Sequence, residues 1–202
     1  MLRELYYQFL VYRSIVFPFL VLSSIAVPCW LLIRLYRVRT RGHPMSLQRE
    51  VLLLIVVLYF SGLAAATLEP NRNPRLLADD TTGIELRPNL TALTCSSPAL
   101  TTGSNSRHFC LYNAKGNVLL FFPLGILIPL VWTRLRFWRG LQMAIALSVT
   151  IEILQYASRA WGSYRSVDIN DVILNVLGAS LGLALVSLLR LLRGNRPTVA
   201  SA

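Results

Sequence analysis

Apolar residues along the chain are gathered into five long blocks rather than spread at the regular period of a soluble helix or strand. The blocks are residues 15–33, 51–68, 118–132, 141–157 and 172–189. Each is close to the roughly 17–25 residues that a helix needs to cross the hydrocarbon layer of a membrane. Because backbone N–H and C=O groups find no water in that layer, such blocks predict spanning helices. The third block is the shortest and contains Pro123 and Pro129.

Composition agrees with this pattern. Of the 202 residues, 54% are hydrophobic and 14% are charged, whereas about 25% of the residues in a soluble domain are charged. The predicted fold class is therefore all-α, a polytopic transmembrane helical bundle of about five spans that forms one integral membrane domain over residues 1–202. The first block could instead be a cleaved signal peptide. It is long for one, contains Pro18 and Pro28, and has no small-residue cleavage site after it, which favours a retained span.

The distribution of charge predicts the orientation of the spans. Three segments together hold eleven arginines and one acid, a net charge of +10. They are the linker between spans one and two, the link between spans three and four, and the C-terminal tail. The N-terminus, residues 69–117 and residues 158–171 hold nine basic and seven acidic residues, a net charge of +2. Positive charge in short loops marks the cytoplasmic side. The sequence therefore predicts a membrane protein with its N-terminus outside and its C-terminus in the cytoplasm, and the overall charge needs no nucleic-acid partner.

The loop between spans two and three, residues 69–117, is then extracytoplasmic, and loops of this length are usually functional or disordered. It contains Cys95 and Cys110, for which an oxidising compartment favours a disulfide over two unpaired thiols. Cys29 lies within the first span and is expected to be a buried thiol. The only two histidines, His43 and His108, fall on opposite sides of the membrane. No metal site and no cofactor is predicted.

Polar residues on the last three spans fall on single helical faces, at about 100° per residue. On the fifth span the face consists of Asp168, Asp171, Asn175, Gly178 and Gly182. On the fourth span it consists of Ser148, Glu152, Gln155 and Arg159. On the third span it consists of Asn113 and Asn117, one turn apart.

Helix capping explains only part of the polar face on the fifth span. Asp168 or Asn170 could cap the helix, because side-chain oxygens at a helix N-terminus accept free N–H groups and suit the helix dipole. That accounts for one of the two aspartates but not for Asn175, which lies a turn further in. Gly178 and Gly182 have the spacing that lets a neighbouring helix approach closely. The face is therefore expected to meet protein, at the interface with the fourth span.

Glu152 is the candidate functional residue of the fourth span. It lies roughly 7 Å inside the end of its span, at 1.5 Å per residue, where a carboxylate is costly and marks a functional site by default. The alternative is a structural ion pair with Arg159 or Arg165, or a protonated packing residue. With the spans alternating in direction, all these polar groups fall in the outer half of the membrane. We expect one outward-facing site, whose predicted binding residues are Asn117, Glu152, Gln155, Arg165, Asp168, Asp171 and Asn175.

Three segments of the chain resemble VanZ-like membrane proteins: NVLLFFPLGILIPL (117–130), IEILQY (151–156) and RSVDINDVILNVLGASLG (165–182). The resemblance is best over residues 110–190. It implies a bacterial cell-envelope protein of the cytoplasmic (inner) membrane, without identifying a reaction. The family's namesake is associated with low-level resistance to the glycopeptide teicoplanin. The family's motif positions correspond here to Asn117, Pro123, Gly125, Glu152, Gln155, Arg165, Asp168, Asp171, Asn175 and Gly178. Of these, Pro123, Gly125 and Gly178, together with Gly182, are expected to serve helix packing.

Two classes of function follow from these observations. The first is a binding or accessory protein whose polar site takes an amphiphilic ligand from the membrane, such as a lipid-linked cell-wall precursor or a lipoglycopeptide such as teicoplanin. The second is an intramembrane enzyme in which Glu152 is the general acid or base and Asp168 and Asp171 assist. The sequence contains no activated-nucleophile motif and no metal-ligand set, which favours binding. A transporter would need polar groups through the full depth of the spans, and their inner halves are nearly all apolar.

Overall fold

The computed structural model of the chain describes residues 2–42, 46–68, 84–96, 104–158, 160 and 167–194. The helices are α1 (Leu2–Arg41), α2 (Leu47–Thr67), α3 (Leu90–Leu93), α4 (Ser104–Val131), α5 (Phe137–Ser158) and α6 (Ile169–Gly194), and the strands are β1 (Ile84–Glu85) and β2 (Val167–Asp168). Five of these helices are long and apolar enough to cross a membrane. The predicted all-α bundle of five spans is confirmed, and the chain is a multi-pass membrane protein.

Helices α1 and α2 pack together in the first of two compact units. Gly42 follows α1 with a φ of 61° and donates its N–H to the carbonyl of Val38 at 3.1 Å, a left-handed ending that glycine adopts without strain. At the same end of the two helices, Arg34 Nε donates to Glu50 Oε2 at 2.8 Å, and Arg34 Nη2 donates to Glu50 Oε1. Glu50 is buried. This bidentate pair supplies the partner that a buried carboxylate needs.

The thiol of Cys29 was expected to be buried, and that prediction is wrong, because Cys29 is exposed. The most apolar window of α1 has no buried residues. Its large side chains, such as Phe17 and Leu32, are each 67% exposed. In a spanning helix these side chains contact lipid, so they need not be buried by other parts of the protein.

The second unit is centred on α4 and α6, whose backbones touch. A Cβ atom added to Gly178 would collide with the carbonyl oxygen of Val118 and lie 2.9 Å from its carbonyl carbon. A Cβ added to Gly182 would collide with the carbonyl oxygen of Phe122, and one added to Gly125 with that of Ala179. Glycines on both helices therefore allow the contact. Around it lies the apolar core, which includes Phe121, Leu124, Ile128, Ala179, Leu183 and Val186.

The packing role expected for Gly125, Gly178 and Gly182 agrees with these contacts, but the partner predicted for Gly178 and Gly182 is wrong. They face α4 and not α5. Helix α5 also packs in this unit, through small residues. Gly140 lies against Leu183 and Ile128, and Ala144 is fully buried. Pro123 and Pro129 lie inside α4 without ending it. Lipid-buried helices tolerate proline where neighbouring helices meet the freed carbonyls.

The loop between the second and third spans contains regular structure in its described part. Residues 104–117, predicted as loop, form the first turns of α4. Strand β1 pairs in parallel with β2, placing Ile84 opposite Val167 and Glu85 opposite Asp168. The predicted disulfide between Cys95 and Cys110 is present, and Cys95 is completely buried. Residues 84–96 are thus tied both to the start of α4 and to the start of α6.

Candidate functional site

Asp168 caps the N-terminus of α6. Its Oδ1 accepts the backbone N–H of Asn170 at 2.8 Å, which satisfies one of the free donors of the first helical turn. The sequence left the cap open between Asp168 and Asn170, and the bond belongs to Asp168. Asn170 has a different role. Its Oδ1 accepts the backbone N–H of Asn89 at 3.0 Å and so binds the loop segment to α6.

Glu152 meets the same helix start from α5. Its Oε2 accepts the backbone N–H of Asp168 at 3.2 Å, and the residue is 6% exposed. A carboxylate next to the positive end of a helix is stabilised by the helix dipole as well as by the hydrogen bond. Glu152 therefore lies against the entrance of α6, as the sequence predicted. Arg159 and Arg165, considered as its ion-pair partners, lie outside the described residues.

Asp171 bonds to α4. Its Oδ1 accepts from Asn117 Nδ2 at 2.6 Å and from Asn113 Nδ2 at 3.4 Å. The sequence placed Asp171 opposite α5, with Asn117 only nearby. Because glycines draw α4 against α6, the two asparagines at the start of the third span come within direct reach of the carboxylate. The third span thus contributes more to the site than the spacing of residues indicated.

Asn175 lies deeper and bonds to α5, where its Nδ2 donates to Ser148 Oγ at 3.0 Å. Both residues are buried, as is Gln155 two turns further along α5. Asn175 is six residues inside α6, and Glu152 is six residues from the end of α5. At 1.5 Å per residue both lie about 9 Å inside their helices. Polar side chains from α5 and α6 therefore lie at a similar depth in this unit.

We call this group the polar cluster; its members are Asn117, Ser148, Glu152, Gln155, Asp168, Asn170, Asp171 and Asn175. Two of its buried atoms, Asn170 Nδ2 and Asn175 Oδ1, have no hydrogen-bond partner among the described residues. A buried donor or acceptor left unpaired costs on the order of 1–3 kcal/mol. Asp168 and Asp171, by contrast, are partly exposed. The cluster therefore combines an accessible acidic rim with one unpaired donor and one unpaired acceptor beneath it.

Sequence reasoning missed Asn89 and the binding role of Asn170. Asn89 stands in an Asn-Leu-Thr sequence, and its Oδ1 accepts from the backbone N–H of Thr91 at 3.0 Å and from the Thr91 hydroxyl at 2.7 Å. This local turn presents the Asn89 N–H to Asn170. An asparagine followed two residues later by threonine is a turn signal. It gives no indication of a partner 81 residues away.

Comparison with known proteins identifies relatives of this chain. A family model described as VanZ/LLP1 matches residues 51–190, which is more than half of the chain and contains every described member of the polar cluster. Protein VanZ from Enterococcus faecium is 35% identical over 72 residues, which cover 36% of this chain and 42% of that protein. The chain thus spans less than half the length of that relative. No solved structure matches.

Proposed function

The chain belongs to the VanZ/LLP1 family, and we propose that it serves the bacterial cell envelope as a membrane protein whose polar cluster recognises the head group of an amphiphile. The ligand class is a lipid-linked cell-wall precursor or a lipid-tailed glycopeptide such as teicoplanin. For the second ligand the protein would contribute to glycopeptide resistance. Both ligands carry a chain that stays in lipid and a polar head rich in amide groups.

The unpaired atoms of the polar cluster carry this proposal. Asn170 Nδ2 can donate, and Asn175 Oδ1 can accept. Five residues separate them on α6, so they lie about 7 Å apart along the helix axis. A head group with successive amides can supply an acceptor to the first and a donor to the second. The fifth apolar span begins at Ile169. Asn170 therefore lies at the end of the span, where the head group of an amphiphile resides, and Asn175 lies about 9 Å inside the span.

The orientation of the cluster is part of the proposal. The +10 against +2 division of charge supports a cytoplasmic C-terminus. The disulfide also supports it, because Cys95 and Cys110 join residues at the same end of the unit as the cluster, and disulfides persist on the oxidising side. The polar cluster would then face outward. A C-terminal reporter that is active only outside the cytoplasm would contradict this arrangement.

Binding by Glu152 variants tests the function. We expect Glu152→Gln to weaken the affinity of the full chain in nanodiscs for fluorescently labelled teicoplanin or a lipid-linked muropeptide by about tenfold. The Glu152 side chain, which accepts the N–H of Asp168 at the start of α6, loses its charge. Hydrogen bonds to charged groups contribute about 1.5–3 kcal/mol. Thr150→Ala is the matched control on α5, because the Thr150 hydroxyl is exposed and, among the described residues, bonds to the carbonyl of Ala146 in its own helix.

The same titration separates recognition from catalysis. If Glu152 is an acid or base acting on a lipid-linked substrate, the Gln variant keeps its affinity and loses turnover of that substrate. Weakened binding in Glu152→Gln, with Thr150→Ala like the parent protein, supports recognition. Equal binding of the parent protein and both variants would refute the proposed role of the cluster.

A further inference from the structure

The turn between α4 and α5 carries a concentration of positive charge that the polar cluster does not use. Arg134, Arg136 and Arg139 are all exposed. Arg190, near the end of α6, donates to the carbonyl oxygens of Pro129 at 2.5 Å and Thr133 at 3.3 Å. Its guanidinium group therefore joins the same surface. We call these four residues the arginine patch.

No carboxylate pairs with the arginine patch in the described part of the chain, where Glu50 pairs with Arg34. The sequence has no Asp or Glu between Glu85 and Glu152. Arg34, by contrast, has an acid within reach and forms a bidentate pair with it. The arginine patch therefore has no counter-charge among the described residues of its unit.

Two features next to the patch suit a phosphate at a membrane surface. Helix α5 begins at Phe137, and the free N–H groups of a helix start attract anions. Trp132 is 50% exposed and Trp138 is 71% exposed, and indole side chains favour the level of lipid head groups. The ends of α4 and α5, both spanning helices, place the turn at that level.

We propose that the arginine patch binds the head group of an anionic phospholipid, with the phosphate between the guanidinium groups and the start of α5, and the acyl chains along Trp132 and Trp138. This site lies at the end of α4 and α6 opposite to the polar cluster. It does not depend on the function proposed for that cluster. The expected role is to anchor this end of the unit to the anionic leaflet.

Tryptophan quenching in vesicles tests the proposal. With Trp30 and Trp161 replaced by Phe, fluorescence reports Trp132 and Trp138 alone, because the chain has four tryptophans. The full chain is reconstituted in phosphatidylcholine vesicles that contain a minor fraction of phosphatidylglycerol, with either lipid brominated in turn. We expect brominated phosphatidylglycerol to quench as if enriched about fivefold at the turn, the fold-change that one basic residue near an anionic surface produces.

Changing Arg134, Arg136 and Arg139 together to Gln should bring this enrichment close to one. The matched control changes Arg37, Arg39 and Arg49 to Gln, which alters the net charge equally on exposed residues of the other unit, and should keep the enrichment. Equal quenching by both lipids in the parent protein would overturn the proposal, as would equal loss in the control. Inorganic phosphate added at constant ionic strength should leave the enrichment unchanged, and displacement by phosphate would overturn the assignment to a lipid.

Discussion

Replacing Gly178 with alanine is expected to destabilise the protein, although alanine normally stabilises a helix relative to glycine by about 0.5–1 kcal/mol. The added methyl group would collide with the carbonyl oxygen of Val118 and lie 3.0 Å from its Cα atom. These are backbone atoms, which cannot rotate away. Helices α4 and α6 must separate, and we expect a loss of about 1–3 kcal/mol, as for other overpacked cores.

Gly116→Ala is the matched control, because it adds the same group to α4 at a position where a Cβ atom meets nothing within 4 Å. It should leave the thermal unfolding midpoint unchanged or raise it. Unfolding in detergent, followed by helical circular dichroism, compares the two variants. Only Gly178→Ala is expected to lower the midpoint. Equal shifts would show that the contact between α4 and α6 is not tight enough to exclude a methyl group.

Replacing Cys95 and Cys110 together with serine is expected to release residues 84–96 from the second unit. The disulfide closes a chain segment with a sequence separation of 15, and a loop of about this length contributes roughly 3 kcal/mol in the chain-entropy treatment. The other attachments shown by the described residues are small and include the two-residue pairing of β1 with β2, the bond from Asn89 to Asn170 and a limited contact of α3 with α6. They should not persist alone.

Hydrogen exchange measures this release. In the double serine variant the amide of Asn89 and the amides of 84–85 should exchange faster, while those around Phe121 in the middle of α4 keep their protection. Cys29→Ser is the control, since that thiol is exposed and free. Unchanged exchange at Asn89 in the double variant would show that the disulfide does not hold this segment in place.

The spans and their order could be predicted from the sequence because lipid imposes a simple rule. A helix that crosses the membrane must be mostly apolar along its length, so the five blocks and the five spanning helices coincide closely. The same rule cannot find helical turns that carry charged and polar residues. Residues 104–117 carry Arg107, Asn113 and Lys115, and hydropathy therefore assigned them to the loop although they belong to α4.

Helical spacing predicted which residues share a face, but it could not identify the helix that the face meets. Asp171, Asn175 and Gly178 do lie on neighbouring positions of α6. Asp171 and Gly178 nevertheless contact α4, while Asn175 contacts α5. The polar face of α6 lies between α4 and α5. Each of its residues contacts whichever of the two helices is closer at that position. Gly125 on α4 allows the close approach to α6. Helical periodicity alone gives no indication that Gly125 faces α6.

The hydrogen bond between Asn89 and Asn170 could not be predicted from the sequence. It joins residues 81 positions apart, one in a segment without hydrophobic periodicity and one at a helix start. Long-range pairing of this kind depends on the disulfide and on the pairing of two-residue strands. Neither strand is long enough to produce the alternation that identifies a strand in a sequence.

The most direct test of the central claim, an outward-facing polar cluster that takes an amphiphile, is the labelling of a cysteine beside it. Gly116 is exposed, precedes Asn117, and has open space for a side chain. In a Cys29→Ser background, Gly116→Cys in intact cells should react with a membrane-impermeant thiol reagent, and Trp138→Cys at the opposite end should not. Teicoplanin or a lipid-linked muropeptide should slow the reaction at residue 116 by about tenfold if its head group occupies the cluster with micromolar affinity. Labelling of residue 138 instead of residue 116, or a rate at residue 116 that neither amphiphile changes, would contradict the account.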